Sequence, residues 1–217
     1  MASMSIIFMI QENSISRLTS RRTIIIPMQL GSMDIKQVCK KIAEKGLVVG
    51  ASGNVSERHG EFFCITASST RLDCVDTILS CGIDSENIPS GASIETRMHR
   101  AIYRERSDVN AIIHANPPYS TLLACSNQTV NTSLIPEGNL IHPVHYVGVF
   151  PPGSKELASA VASAALKSNV IILKNHGVVV MGRSLKEALN RLEYLEFICG
   201  IVIMARMSGI TLHQAES

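Results

Sequence analysis

The segment Asn110-Ala-Ile-Ile-His-Ala-Asn116 decides the fold, because it sets an apolar run directly before two polar side chains. Short apolar runs without polar alternation are typical of strands that are buried on both faces. Side chains two positions apart on a strand point to the same side, so His114 and Asn116 are expected to face one point. The segment therefore predicts a buried strand with a polar pair at its carboxyl end.

A second polar group follows another apolar run in the same way. Val170 to Leu173 has the composition of a short buried strand, and Asn175-His176-Gly177 comes just after it. The carboxyl ends of buried strands are where open α/β sheets place ligands, and neutral imidazole is a common ligand of divalent metals. Two histidines with a third oxygen or nitrogen donor can hold a metal and leave one position open for substrate. Taken singly, a histidine that ends a strand is more often a hydrogen-bonded structural residue.

Helices and strands alternate on both sides of these two segments. Apolar residues at helical spacing predict helices over 34–45, from 93 to about 104, from 118 to about 125, over 154–166 and from 184 towards 207. Strands are predicted over 55–58, 61–66, 140–149 and 178–181, whereas 67–91 is expected to be polar and irregular. This order predicts an α/β fold, a single-domain mixed β-sheet covered by helices on both faces.

Composition narrows the class of protein. The 217 residues are 46% hydrophobic and 18% charged, which predicts a folded chain with one large domain. A net charge of +2 without a basic block makes nucleic acid a poor candidate for a partner. No apolar run approaches the roughly 18–20 residues of a membrane span. The six cysteines form no C-x-x-C pair, which indicates buried thiols in a reduced, cytoplasmic protein.

The first 32 residues differ from the rest of the chain. Two short apolar runs, at 4–10 and 23–28, flank a polar stretch that carries three arginines. A secretory signal places its basic residues before its apolar run, so this order does not fit one. We predict that residues 1–32 are an extension outside the core and that residues 33–217 form the domain. A transit peptide is the alternative for the extension.

Small polar residues recur where strands and helices begin or end. Gly53-Asn54 and Ser68-Ser69 adjoin strands, and Ser93 begins a helix. Backbone N–H groups and hydroxyls at such points can cradle a phosphate, although ordinary turn and cap residues have the same composition. Glu95 falls in the first turn of the same helix, where the helix dipole favours a carboxylate. It is therefore either a partner of the dipole or a functional acid.

Taken in order, these segments resemble the class II aldolase/adducin family, and within it the fuculose-phosphate aldolases. The resemblance runs from about Asp34 to Ser208. It is carried by the segments 46–56, 65–69, 89–99, 108–114, 151–157 and 175–177. Each segment is a loose motif alone, but their order and spacing together are specific.

The resemblance implies a metal centre. The family's metal, usually zinc, is held by a His-x-His pair on a strand and a later His before Gly, which fall on His114, Asn116 and His176. The family's acid/base glutamate, which can itself contact the metal, falls on Glu95. Asn116 stands where the family has its second histidine, and an amide oxygen is a weaker zinc ligand that suits harder cations. The implied cofactor is a divalent metal, zinc first and manganese or magnesium as alternatives, unless the substitution abolishes binding.

The resemblance also implies a small phosphorylated sugar as substrate. Its phosphate would be held at the positions Gly53, Asn54, Ser68, Ser69 and Ser93. Ile94 departs from the hydroxyl that phosphate-handling relatives often carry at that point. Tyr119 and Tyr146 are candidates, by position, for the tyrosine that some aldolases use to protonate the leaving aldehyde. Family members are typically homotetramers with the site at a subunit interface.

These assignments imply a metal-dependent aldehyde-lyase that cleaves a ketose 1-phosphate to dihydroxyacetone phosphate and a small aldehyde. The alternatives are a sugar-phosphate epimerase, dehydratase or decarboxylase on the same scaffold, and a non-catalytic, adducin-like interaction domain. His99, four residues after Glu95, is expected to be a structural, hydrogen-bonded side chain. His142 and His145 are expected to face opposite sides of a strand, and neither is assigned to the site.

Overall fold

The computed structural model describes residues 33–213, together with the backbone of two short strands, β1 at Ile7–Phe8 and β2 at Ile24–Ile25, which pair antiparallel. The predicted extension over residues 1–32 otherwise lies outside the described residues, as do residues 214–217. Within the described part of the chain, none of the helices is both long enough and apolar enough to cross a membrane.

Residues 33–213 form seven strands and five α-helices. The strands are β3 Asn54–His59, β4 Phe62–Thr66, β5 Ile78–Gly82, β6 Ala111–Ala115, β7 Val144–Val147, β8 Val170–Leu173 and β9 Gly177–Gly182. The helices are α1 Ile35–Glu44, α2 Thr96–Glu105, α3 Pro118–Ala124, α4 Lys155–Ala165 and α5 Leu185–Ser208.

The seven strands make one sheet in the order β5-β4-β3-β6-β9-β8-β7. Neighbouring strands run antiparallel except β7 and β8, which are parallel, so the predicted mixed sheet is confirmed. Strand β6 lies at the centre, and its register places His114 opposite Asn54 of β3 and Val179 of β9. The segment that predicted the fold is therefore the middle of the sheet.

Each face of the sheet has its own apolar core. Alternation along β6 sends Ile113 into the core that includes residues of α1, α3 and α5, and Ile112 into the core that includes residues of α2 and α4. Full burial of each of these isoleucines stabilises the fold by about 1.5–3 kcal/mol. Helices thus cover both faces, as predicted, and His114, two residues after Ile112, belongs to the face of α2 and α4.

The helix starts follow from their capping residues. Asp34 accepts the N–H of Gln37 at 2.7 Å, and the Gln37 side chain accepts the N–H of Asp34 at 3.1 Å, which completes a capping box on α1. On α5, Ser184 accepts the N–H of Glu187 at 3.2 Å, but the Glu187 carboxylate accepts from the N–H of Arg183 instead. Only half of that second capping box is formed.

Two sequence predictions of strands are corrected by the structure. The region 67–91, expected to be irregular, contains the edge strand β5, whose side chains are mostly half-buried and so show no alternation. The strand expected over 140–149 is confined to β7, because a 3₁₀ helix occupies Pro136–Leu140. Pro143, which lacks a backbone N–H, lies just before β7 and cannot extend its ladder.

Candidate metal and substrate site

Two histidines meet where β6 ends and β9 begins. The ring centroids of His114 and His176 are 4.8 Å apart in an edge-to-face arrangement. His114 is only 3% exposed, and its Nδ1 lies 3.0 Å from the carbonyl oxygen of Val178. A carbonyl only accepts, so Nδ1 carries the hydrogen and Nε2 keeps its lone pair. A ring held in this tautomer by a backbone carbonyl is suited to bind a metal through Nε2.

Burial favours the neutral form of both rings. Burial, and secondarily the nearby His176, lowers the pKa of His114 to about 4. Burial also lowers the pKa of His176. Because a metal binds the unprotonated imidazole, these shifts favour binding at neutral pH.

Asn116 joins the two ligand-bearing loops. Its amide nitrogen donates to the carbonyl oxygen of His176 at 2.5 Å, which leaves its Oδ1 buried without a hydrogen-bond partner among the described residues. A β-carbon on Gly177 would come within 2.5 Å of both the Ala115 carbonyl and the Asn116 amide nitrogen. The loops therefore approach each other so closely that only glycine fits at 177.

Helix α2, predicted to start at Ser93, begins at Thr96 in the structure. Glu95 is therefore its N-cap residue. Its side chain is almost fully buried, at 2% exposure. Oε1 accepts the N–H of Gly153 at 3.1 Å, whereas Oε2 has no partner within residues 33–213. Burial raises the pKa of this carboxyl, and the Gly153 N–H partly offsets the rise.

His99 connects α2 to strand β3 of the sheet. Its Nδ1 lies 2.7 Å from the hydroxyl of Ser56 on β3, two residues after Asn54. Burial, with a smaller contribution from the charge of His114, lowers the pKa of His99 to about 3. The first turns of α2 therefore pack over the part of the sheet where Asn54 and His114 pair. The expected structural hydrogen bond of His99 is present, but its Nε2 is buried and unpartnered among the described residues.

Unpartnered polar atoms are concentrated here. Across the described residues, five buried side-chain polar atoms lack a hydrogen-bond partner. Four of them are on the segments described above, Asn54 Oδ1 and Asn116 Oδ1 at strand ends, and Glu95 Oε2 and His99 Nε2 in the first turns of α2. An unsatisfied buried polar group costs about 1–3 kcal/mol, so a folded protein rarely collects them without a reason. The arrangement suits a polar ligand that supplies the missing partners.

The donor set fits a divalent cation through three residues. In residues 33–213, no three side chains of the His, Cys, Asp and Glu types are close enough together to form a ligand set. Glu95 therefore does not complete such a set with the two histidines in this structure. Two neutral imidazoles and the free Oδ1 of Asn116 remain, a mixed nitrogen and oxygen set that suits zinc or a harder divalent metal.

The residues expected to hold phosphate fall on three segments, at 53–54, 68–69 and 93. Gly53 has φ of 79°, and a β-carbon there would lie 2.8 Å from the carbonyl oxygen of His114. The N–H of Ser68 donates to the carbonyl of Gly91 at 2.8 Å, and Ala67 forms a bridge with Ala92, which brings 67–69 beside Ser93. Ser68 and Ser69 are exposed, whereas the buried Ser93 hydroxyl accepts the N–H of Glu95 at 3.2 Å.

The remaining histidine and tyrosine candidates are distributed differently. His142 precedes β7 and lies 3.1 Å from the Thr132 hydroxyl, and His145 is on β7, which β8 and β9 separate from β6. The Tyr146 hydroxyl accepts the N–H of Val130 at 2.7 Å, which is a structural contact. Tyr119 is 40% exposed and follows Asn116 by three residues, so it is the tyrosine nearer to the site along the chain.

Sequence reasoning missed two contacts that shape the site. Gly153, which holds Glu95, lies in the segment Pro151-Pro-Gly-Ser154 before α4, and the only signal for it was that segment's place among the family motifs. Glu196 of α5 accepts hydrogen bonds from the start of α3 and gave no sequence signal.

Comparisons with known proteins identify the family of this chain. The family model described as "Class II Aldolase and Adducin N-terminal domain" matches residues 33–203. The L-fuculose phosphate aldolase of Methanocaldococcus jannaschii is 37% identical over 170 residues, which cover 76% of this chain and 92% of that protein. The 3-oxo-tetronate 4-phosphate decarboxylase of Haemophilus influenzae is 29% identical over 169 residues, or 74% of this chain and 80% of that protein.

A solved structure gives the same result. The L-fuculose-1-phosphate aldolase of Thermus thermophilus superposes with a TM-score of 0.74 at 26% identity, over 81% of this chain and 93% of that one. The predicted fold and family resemblance are thereby confirmed. The chain belongs to the class II aldolase and adducin family, and it is an aldolase-type lyase.

Proposed function

We propose that this protein cleaves a ketose 1-phosphate to dihydroxyacetone phosphate and a small aldehyde, using a divalent cation held by His114, His176 and Asn116. The observation that carries the proposal is the pair of imidazoles of His114 and His176, with ring centroids 4.8 Å apart, beside the buried Oδ1 of Asn116, which has no partner among the described residues. The similarity to the L-fuculose phosphate aldolases of Methanocaldococcus and Thermus supports the same substrate class.

The ligand residues are prepared for a cation by their surroundings. A bound divalent cation supplies Lewis acidity to the carbonyl and adjacent hydroxyl oxygens of the substrate, which stabilises the charge left when a carbon–carbon bond breaks. The Val178 carbonyl orients His114, and the Asn116 amide nitrogen, by binding the His176 carbonyl, turns Oδ1 away from that bond. Zinc, manganese and magnesium are all compatible with this set.

Glu95 moves the proton at the carbon that becomes nucleophilic. Burial raises the pKa of its carboxyl towards neutral pH, and such a shift suits a general acid/base. The N–H of Gly153 fixes Oε1, so the unpartnered Oε2 is the oxygen that exchanges the proton. A buried carboxylate without a second partner is costly to maintain, which argues against the non-catalytic, adducin-like alternative.

The phosphate end of the substrate would lie along Gly53, Asn54, Ser68, Ser69 and Ser93. Asn54 pairs with His114 across the sheet, so this end of the ligand adjoins the histidines. A homotetramer is proposed from the family resemblance, and the exposed apolar side chains of Phe197, Met204 and Met207 on α5 support an interface between copies.

The second candidate function is decarboxylation of a phosphorylated sugar acid, because the relative from Haemophilus carries that name. An epimerase or dehydratase would need the same residues, and Glu95 and the two histidines do not separate these reactions. Product identity separates them directly.

The test is to incubate the metal-loaded protein with a panel of ketose 1-phosphates, fuculose 1-phosphate first, and to assay dihydroxyacetone phosphate with a coupled reductase. We expect the parent and Glu105→Gln, which changes an exposed glutamate at the far end of α2, to form product at similar rates. Glu95→Gln should form it at least about a hundredfold more slowly. Undiminished product from Glu95→Gln would overturn the mechanism. Carbon dioxide release from a phosphorylated sugar acid, without aldehyde formation from any ketose 1-phosphate, would favour the decarboxylase.

A further inference from the structure

A second buried glutamate lies behind the site. Glu196 of α5 is 7% exposed and accepts three hydrogen bonds from the first turn of α3. The N–H of Tyr119 donates to Oε1 at 2.7 Å, and the N–H and hydroxyl of Ser120 each donate to Oε2 at 2.8 Å. Helix α3 begins after Pro117, whose ring cannot cap it, so the cap comes from α5.

Helix α3 connects the two loops that carry the proposed ligands. At its start, the chain reaches α3 from Asn116 through Pro117. At its end, the carbonyl of Ala124 accepts the N–H of Asn175, the residue before His176, at 3.1 Å. The hydrogen bond from Asn116 to the His176 carbonyl joins the two loops directly. A displacement of α3 would therefore move both loops.

The contact between α3 and α5 is close enough to transmit such a displacement. One turn after Glu196, a β-carbon on Gly200 would lie 2.9 Å from the ring of Tyr119. This close approach leaves little freedom for α3 to find another position while its cap is intact.

We propose that Glu196 is a positioning residue, which acts through α3 to hold Asn116 and His176 at the separation that cation binding requires. Glu196 does not touch the substrate. The inference rests on the proposed cation site, because it concerns the geometry of two of that site's ligands.

Cobalt(II) titration followed by visible absorption tests the inference without an activity assay. In Glu196→Gln the amide cannot accept at both ends, so at least one donor of α3 loses its partner. We expect this variant to bind cobalt about tenfold or more weakly than the parent, with an altered ligand-field spectrum, as the loss of supporting contacts does at other metal sites. Ser120→Ala, which removes one of the three bonds, should give a smaller weakening and the same direction of spectral change.

Glu193→Gln on the same helix is the matched control, since Glu193 pairs with Lys45 at 3.2 Å on the surface. Its cobalt affinity should equal that of the parent. Titrations run well below each variant's thermal midpoint separate positioning from unfolding. Parental cobalt affinity and spectrum in folded Glu196→Gln, or in Ser120→Ala if the first variant does not fold, would overturn the positioning role alone. Failure of the parent to bind cobalt would overturn the cation site and this inference with it.

Discussion

Two buried glutamates, Glu95 at the start of α2 and Glu196 of α5 beside the start of α3, lie on opposite faces of the sheet, and their surroundings differ. Glu196 is 7% exposed, and both of its oxygens are occupied by donors of α3. Glu95 is 2% exposed, but only Oε1 has a donor, the N–H of Gly153. Near-total burial of a carboxylate is stabilising only where hydrogen bonds replace water. We infer that Glu196, whose hydrogen bonds are complete, has a structural role. The free Oε2 of Glu95 is available to a ligand.

The comparison extends to the regions around them. Asn54, His99 and Asn116 also hold buried polar atoms without partners within the described residues, whereas Glu196 has donors on both oxygens. A region left with such atoms is less stable than it could be, which is the usual condition of a binding site.

The largest expected effect is on turnover in Glu95→Gln. Loss of a general acid/base lowers kcat by about 10²–10⁴-fold. The amide keeps an acceptor for Gly153 and removes a buried ionisable group, so the thermal midpoint should stay level or rise. Steady-state kinetics and thermal unfolding on the same sample check both parts. A lowered thermal midpoint in Glu95→Gln would contradict the account, because Glu95 would then stabilise the fold as Glu196 does.

Glu196→Gln should show the opposite pattern in stability. Leaving one donor of α3 unpaired costs about 1–3 kcal/mol of the free energy of unfolding. For a chain of this size, each kcal/mol shifts the midpoint by about 2–4 °C, so calorimetry can resolve the loss. A midpoint unchanged from the parent would mean that α3 does not depend on this cap.

Asn116→His would create the His-x-His pair that the family resemblance implies. It tests whether residue 116 is a ligand of the cation. An imidazole is a better zinc ligand than an amide, so the affinity for zinc should rise by about tenfold or more, while that for magnesium should not. Competition with a zinc chelator measures the change. Equal zinc affinity in parent and variant would remove Asn116 from the ligand set.

Glu57 on β3 is a third glutamate, which is partly buried, and its substitution should have the smallest effect of these variants, on the pH dependence of stability. Burial, with a contribution from Asp34, raises its pKa from 4.5 to about 7, and His59 lies 3.5 Å away. The folded state binds this proton more tightly than the unfolded state, so the stability it contributes is full below about pH 4.5 and is lost as pH rises through 7.

Glu57→Gln should therefore reduce the fall of the thermal midpoint between acidic and mildly alkaline pH. Thermal unfolding at a series of pH values checks this, with Glu61→Gln, an exposed residue of the adjoining turn, as the control. Parallel pH profiles for the parent and Glu57→Gln would show that Glu57 titrates normally.

Local patterns in the chain predict some of these features and miss others for physical reasons. The central strand β6 and its polar pair are predictable, because the apolar run at 111–113 directly precedes His114 and Asn116 in the sequence. The edge strand β5 is not, because only part of its surface is buried and its residues do not alternate. Glu196 is not predictable either, since its partners lie 76 and 77 residues away and a glutamate on a long helix is usually solvated.

The central claim is that His114, His176 and Asn116 hold a divalent cation, and elemental analysis of protein purified without chelators tests it most directly. The account predicts about one zinc, manganese or similar ion per chain, lost in His114→Ala with the fold retained. Protein without metal, which takes up none on titration with zinc, manganese or magnesium, would contradict the account.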